Sequence, residues 1–439
     1  MIPLSLEWIA QRCPGELRVA SGVTTVSGLE IDSRRVSEGD LFVAIGAGAS
    51  FVDDALARGA SAALVPAEPF ASLATIGTEV RAQASATVVA ITGSVGKTST
   101  KDILAGLCGA HRATVAAEAS HNNEIGVPLT LSRLTTSTRV AVLEMGMRGV
   151  GQIGDLCRIA RPHVGVITSI GPAHLELLGT IGKVAEAKAE LLSGLEDGGT
   201  AVVPVEEPLL EAHLGANRLR RVTFGDTGDV ALEHFEAREA SSTLAARVLG
   251  QTVELDLPFT SRHNADNAIA ALAAYAAVGL PLDRVQEGAG DVELSPLRDE
   301  EIPLRGGGLL VNDCYNANPI SMRAALQHLA ARCQGRRRVA ILGDMAELGP
   351  RAPDLHRELG GEAARVCVDR LVVIGSHAEA YADGYRSAGG SSDVSVASTL
   401  EEGISAARRA ARPGDCILVK GSRAAGLEAL SGELQASLG

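Results

Sequence analysis

Along the chain, short unbroken apolar runs alternate with longer stretches whose apolar residues recur every three or four positions. The runs at 86–92, 139–145, 164–170 and 200–205 predict buried strands. The run at 86–92 meets a glycine turn and then a helix predicted over about 98–107. A long alanine-rich helix predicted over 264–277 stops at Gly279 and Pro281, a C-terminal signal. Further strands are predicted at 308–314, 338–342, 370–375, 393–397 and 415–419, with helical stretches in every gap. That pattern defines an open, doubly wound sheet. Towards the N-terminus the apolar runs are shorter and punctuated by Gly and Ser, at 23–29, 40–45 and 62–65. The expectation is an α/β protein of three domains: a small N-terminal α/β domain (1–85), a central domain with a mostly parallel sheet (86–298) and a Rossmann-like C-terminal domain (299–439). The first boundary falls near 75–85, a mostly polar stretch with interspersed alanines.

Composition narrows the function classes. With 21% charged and 46% hydrophobic residues over 439 positions, the chain is not disordered and can bury several cores. Its 53 acidic against 40 basic residues give a net charge of −13, which argues against a nucleic-acid partner while leaving room for one cationic pocket. No apolar stretch approaches the ~18–20 residues that cross a bilayer, and residues 1–17 lack the basic and apolar regions of a secretory signal. The seven cysteines are scattered without a CxxC pair, so neither a disulfide framework nor a zinc ribbon is expected. Each reads as a buried small hydrophobe. A soluble, cytoplasmic, monomeric protein with no membrane partner is the expectation. Only five of the 40 basic residues are lysines: Lys97, Lys101, Lys183, Lys188 and Lys420. Where a compact, deprotonatable amine is needed, arginine cannot replace them.

Thr92-Gly93-Ser94-Val95-Gly96-Lys97-Thr98-Ser99 follows a predicted strand and opens a predicted helix, the context of a phosphate-binding loop. Its glycines let backbone N–H groups approach phosphates, and the helix N-terminus adds positive potential. Lys97 can reach the β- and γ-phosphates and Thr98 can ligate Mg²⁺. The class is a protein using ATP or GTP as its Mg²⁺ complex, with a central P-loop ATPase domain. Glu144, at the end of another predicted strand, can share one Mg²⁺ with Thr98. Lys188 lies on the apolar stripe of Val184, Leu191, Leu192 and Leu195 in a helix predicted over 183–195. A lysine there is costly unless neutral, paired or modified; snorkelling at the helix edge is the alternative. Lys183 reads as the solvated one.

The loop spacing GxxGKT, two residues shorter than the usual GxxxxGKT, resembles that of the Mur ligase superfamily, ATP-dependent amide-bond-forming enzymes of bacterial cell-wall synthesis with folate and cyanophycin relatives. Asn122-Asn123-Glu124-Ile125-Gly126-Val127-Pro128 resembles the family's NNxIGxP, and Glu144-Met145-Gly146 its ExG strand end. Asp313-Cys314-Tyr315-Asn316-Ala317-Asn318-Pro319 and the LGDMAELG segment starting at Leu342 resemble the DSYNANP and LGDMxELG elements of the branch that adds D-alanyl-D-alanine.

The resemblance implies ATP and two Mg²⁺ ions, with Glu144 and Thr98 on one and His174 a ligand of the other. It implies that Lys188, in Ala187-Lys188-Ala189-Glu190, is carbamylated by CO₂: desolvation lowers the amine pKa, the free amine adds CO₂, and the product binds Mg²⁺ or holds the γ-phosphate region. His263 and Asn267 resemble an HNxxN element whose later Asn contacts the adenine; Asn264 or Asp266 capping the helix is the plain alternative. Arg298 matches an arginine that contacts phosphates, or is a surface residue. Asn122 and Asn123 fall on the substrate side. Asp313, Tyr315, Asn316 and Asn318 suit a zwitterionic dipeptide, unless they form only an Asx turn before a helix opened by Pro319. Lys420 resembles a KGSR element near the reaction centre, and Asp344, Glu347 and His356 are expected to line the same cleft. Asp32-Ser33-Arg34 resembles a DSR motif that contacts the uridine-diphosphate sugar through Ser33 and Arg34, although the family's GHDF stretch reads Ser50-Phe51-Val52-Asp53 here.

The implied reaction joins D-alanyl-D-alanine to UDP-N-acetylmuramoyl-tripeptide through an acyl phosphate. The alternatives are the preceding ligase, adding diaminopimelate or lysine, whose DNPR-type element is missing, and a non-catalytic relative whose precursor binding is gated by ATP.

Overall fold

The computed structural model describes residues 1–214, 219–391 and 393–439. Among these residues the chain is α/β with mostly parallel sheets. The largest sheet has nine strands, in the order Gln251–Leu257, Ser242–Val248, Val230–Ala237, Arg220–Phe224, Thr200–Pro204, Val164–Ile167, Thr87–Thr92, Val140–Glu144 and Thr114–Ala116. Its inner strands are buried on both faces and rich in Val and Ile, as parallel strands covered by helices must be. Ile91 pairs with Glu144, and Thr92 with Ile167. This register brings the phosphate loop, Glu144 and the segment leading to His174 together at the carboxyl ends of three neighbouring strands.

The three strands from Val230 to Leu257 form an antiparallel meander that the helical and apolar-run patterns did not reveal. Ser242–Val248 buries every second residue, but its inward members include only a serine and an alanine beside Leu244 and Val248. Such short side chains give period-two alternation a weak hydrophobic signal.

The C-terminal sheet runs Glu300–Pro303, Leu309–Asp313, Cys416–Lys420, Arg338–Gly343, Arg370–Ile374, Val394–Ala397. All five predicted strands are present and parallel, and Glu300–Pro303 adds an antiparallel edge. The last strand, Cys416–Lys420, inserts between Leu309–Asp313 and Arg338–Gly343. The resulting switch point puts Asp313 in register beside Lys420 at adjacent carboxyl ends, where ligands of such sheets bind.

Near the N-terminus, four strands pair in the order Gly15–Val19, Ala62–Pro66, Asp40–Val43, Gly28–Glu30. The polar stretch at 75–85 lies largely in a helix, Pro69–Gln83. Leu73, Ile76 and Val80 are buried at helical spacing, and a Cβ at Gly77 would come within 2.9 Å of the Pro128 backbone. Arg81 donates from this helix to the carbonyls of Ala160 and Arg161.

The cysteines depart from expectation at two points. Cys333 and Cys416 form a disulfide between the end of the helix Pro319–Arg332 and the start of the strand leading to Lys420, and Cys367 is exposed.

Between the central and C-terminal sheets lies a buried charged knot. His328 Nε2 sits 3.1 Å from Glu301 Oε1 and 3.6 Å from Asp299 Oδ1, with Arg332 on Glu301 at 3.0 Å and the His263 ring edge-on at 6.0 Å. Burial pushes the His328 pKa down, but Asp299 and Glu301 outweigh it and the folded value lies above 6.5. Its charge therefore contributes stability that is complete below the unfolded value and is lost as pH rises through the folded one. Replacing His328 with glutamine should cost more stability at pH 6 than at pH 8, read as the shift in urea midpoint. A pH-independent shift would contradict this assignment.

Candidate active site

The central and C-terminal sheets face each other across a cleft of about 690 Å³. Its walls bring together Ser94 to Ser99 of the phosphate loop, Asn122, Glu144, His174, His263, Asn267, Arg298, Asp313, Tyr315, Asn316, Asn318 and Lys420. Thr92 ends the strand beneath the loop, and Gly93 follows it.

The helix Lys97–Gly109 starts at Gly96, whose φ of +83° is left-handed. That φ favours glycine, and a Cβ there would also meet Asn267 Oδ1 at 2.3 Å and push that side chain aside. Thr98 is buried and donates its hydroxyl to Glu144 Oε2 at 2.7 Å, while Asn122 donates to Oε1 at 2.7 Å. A buried carboxylate and hydroxyl meeting at a loop built for phosphates is an oxygen donor set that fits Mg²⁺.

Lys97 and Lys188 both donate to the carbonyl of Gly93, at 2.8 and 3.0 Å. Both pKa values are lowered, first by burial; Lys97 is next pulled upward by Glu144, whereas Lys188 is depressed further by Lys97 and lies well below its ordinary value. Two buried ammonium groups on one acceptor repel, so a neutral amine at Lys188 is the stable arrangement. That amine is the form that adds CO₂, and the carbamate would turn the repulsion with Lys97 into attraction. The lysine on the apolar stripe is thus buried, at 2% exposure, and the snorkelling alternative is excluded. Lys183 is exposed and pairs with Glu186.

His174 takes a left-handed backbone, φ +57°, and its Nδ1 lies 2.5 Å from Glu347 Oε2. Burial lowers its pKa more than Glu347 raises it, which favours the neutral ring.

At the nucleoside end, Ser261 precedes the helix Arg262–Val278, so neither Asn264 nor Asp266 starts it. Asn264 is buried and bridges Asp299 and Asn267, both at 3.0 Å. Phe224, at the end of its strand, lines the cleft near Asn267 and Ala270. No motif marked it, and its strand, Arg220–Phe224, opens on two arginines and offers no apolar run.

On the opposite wall, Lys420 is buried and donates to Asp313 Oδ2 at 2.6 Å and to the Asn316 carbonyl at 3.1 Å. Asn318 does two things: its Oδ1 caps the helix Pro319–Arg332 through Ser321, and its Nδ2 reaches the Ser94 carbonyl of the phosphate loop at 3.2 Å. The Arg298 guanidinium lies 4.2 Å over the Tyr315 ring, whose hydroxyl meets that of Ser120.

Several expected residues lie elsewhere. His356 is fully buried: its Nε2 accepts from the Met345 N–H at 3.0 Å and its Nδ1 bonds the Ala352 carbonyl at 2.6 Å, so it does not line the cleft. Asp344 accepts from Ser376 and His377 and borders a neighbouring cavity. Asn123 is spent on the turn before the helix Gly126–Ser132, accepting from the Ile125 and Gly126 N–H groups. Ser33 donates to Asp54 at 2.7 Å, and exposed Arg34 forks onto Asp32; neither lines this cleft.

Residues 91–275 match the family model of the Mur ligase middle domain, and residues 298–423 that of the Mur ligase, glutamate ligase domain. The chain belongs to the Mur ligase family. The UDP-N-acetylmuramoyl-tripeptide–D-alanyl-D-alanine ligase of Bacillus subtilis is 32% identical to it over 94% of this chain and 93% of its own. The Escherichia coli enzyme of the same name is 31% identical over 99% of each. Among solved structures, MurF from Acinetobacter baumannii superposes with a TM-score of 0.85 at 29% identity over 99% of both chains. The MurF ligase from Thermotoga maritima in complex with ADP gives 0.79 at 27% identity, covering 94% of this chain and 97% of that one. Among the described residues, no helix is long and apolar enough to cross a membrane.

Proposed function

We propose that this chain is an ATP-dependent amide ligase that joins D-alanyl-D-alanine to UDP-N-acetylmuramoyl-tripeptide and releases ADP and phosphate, in the cytoplasm. The observation that carries this reading is the convergence of the phosphate loop and Glu144 with Asp313, Asn318 and Lys420 in one cleft. The domain assignment follows: 1–85 holds the UDP-sugar end through Ser33 and Arg34, 86–298 holds ATP, and 299–439 brings the dipeptide.

The tripeptide carboxylate attacks the γ-phosphorus, giving an acyl phosphate and ADP. The dipeptide amine then attacks the acyl carbon, and phosphate leaves as the amide forms. The protein positions the reactants and offsets negative charge. Lys97 faces the transferred phosphoryl group, with the backbone of Ser94 to Thr98 around it. Thr98 and Glu144 would hold one Mg²⁺, and His174 with a carbamylated Lys188 a second; bound there, the ions would add charge neutralisation. Asn267 and His263 hold the nucleoside and Arg298 the phosphates. Asp313, fixed by Lys420, receives the dipeptide's ammonium, and Asn316 and Asn318 its carboxylate end. Docking of the two walls excludes the water that would hydrolyse the acyl phosphate.

Phosphate release should require ATP, the UDP-linked tripeptide and D-alanyl-D-alanine together. Release with diaminopimelate or lysine and the dipeptide precursor would favour the preceding ligase. Nucleotide binding without turnover would favour the non-catalytic relative. Trp8, the only tryptophan, packs on the core shared by the N-terminal sheet. Its fluorescence should respond to the UDP precursor more than to ATP alone; an equal response to ATP would contradict the placement of the UDP-sugar end.

A further inference from the structure

His174 and Glu347 approach each other from different sheets. His174 follows the strand Val164–Ile167 of the central sheet, and Glu347 follows Arg338–Gly343 of the C-terminal sheet. Both hold left-handed backbones, φ +57° and +62°, which side-chain-bearing residues rarely adopt. Their meeting has several points. Glu347 Oε2 lies 2.5 Å from His174 Nδ1, the Glu347 carbonyl accepts from the Glu176 N–H at 3.1 Å, and Arg148 stands 3.6 Å from Oε1. When Nδ1 carries the proton and donates a hydrogen bond to this carboxylate, Nε2 keeps its lone pair free as a ligand. A carboxylate behind a metal-binding histidine fixes ring orientation and raises ligand basicity.

We propose that Glu347 is a positioning residue that reaches across from the C-terminal wall to set the His174 tautomer, so that the cation site at His174 is complete only when the two walls are docked. This rests on the ligase reading, in which His174 holds the second cation. Arrival of the amine-binding wall and tight cation binding are then one linked event, and by linkage each favours the other. Acyl phosphate chemistry would be assembled only in the arrangement that also presents the amine.

The test uses Mn²⁺ as the probe, titrated into the full chain with a non-hydrolysable ATP analogue and counted by electron paramagnetic resonance. Wild type should bind two ions. Glu347→Ala should weaken one of them by about 10–100-fold and leave the other, at Thr98 and Glu144, unchanged. Glu347→Gln keeps a carbonyl oxygen for the Nδ1–H and should fall between the two; it also serves if the alanine variant fails to fold. Small-angle scattering should show Mn²⁺ compacting wild type more than Glu347→Ala. Wild-type affinity for both ions in Glu347→Ala, a glutamine variant as weak as alanine, or equal compaction would overturn the proposal. Turnover of the wild type on the three substrates, measured separately, reports on the ligase reading alone.

Discussion

Lys188→Ala should lower ligation by about 10²–10³-fold or more, the scale on which a lost charge-stabilising group slows a reaction, and added short carboxylates should restore part of the rate. Lys188 shares the Gly93 carbonyl with Lys97 and is buried at 2% exposure. An ammonium there would face a second cation without water. A carbamate would present a carboxylate-like group to Lys97 and the cation site. Alanine opens space the size of the lost side chain, which formate or acetate can enter and partly replace. ATP binding should survive, because Lys97 keeps its contact with the loop. Phosphate release measured with and without added carboxylate checks this. A variant at full rate would rule out the carbamate, and a dead variant that no carboxylate rescues would argue for a packing role.

Lys420→Met should cost about 3–5 kcal/mol of stability, the range for removing one partner of a buried ion pair, and should raise the KM for D-alanyl-D-alanine more than that for ATP. Lys420 has 2% of its side chain exposed and Asp313 14%. The ammonium gathers the Asp313 carboxylate and the Asn316 carbonyl, so it holds the loop that carries Tyr315, Asn316 and Asn318. Methionine keeps most of the volume and removes the charge. A urea midpoint close to wild type, with KM values unchanged, would mean that the loop holds its shape without this lysine.

The parts legible in the sequence were those with dense local signals. Gly96-Lys97-Thr98 between a strand and a helix declared the phosphate loop, and four buried parallel strands declared the C-terminal sheet because their apolar runs are nearly continuous, with the more exposed Val394–Ala397 following at the same spacing. Lys188 was legible because an apolar helical stripe makes one lysine conspicuous. The meander from Val230 to Leu257 went unread: Val253, Leu255 and Leu257 do alternate with Glu254 and Asp256, but the paired strand Ser242–Val248 turns a serine and an alanine inward and carries only a weak signal. His356 misled for a different reason. A histidine near a motif reads the same whether its ring faces a cleft or, as here, has both nitrogens bonded within its own βα connection. Nor could the sequence say that Asn318 both caps a helix and touches Ser94, which depends on how the two walls meet.

The most direct measurement follows the carboxylate oxygen. UDP-N-acetylmuramoyl-tripeptide labelled with heavy oxygen in its terminal carboxylate, turned over with ATP and D-alanyl-D-alanine, should yield the pentapeptide and phosphate carrying one labelled oxygen. Unlabelled phosphate, or phosphate released without pentapeptide, would contradict ligation through an acyl phosphate.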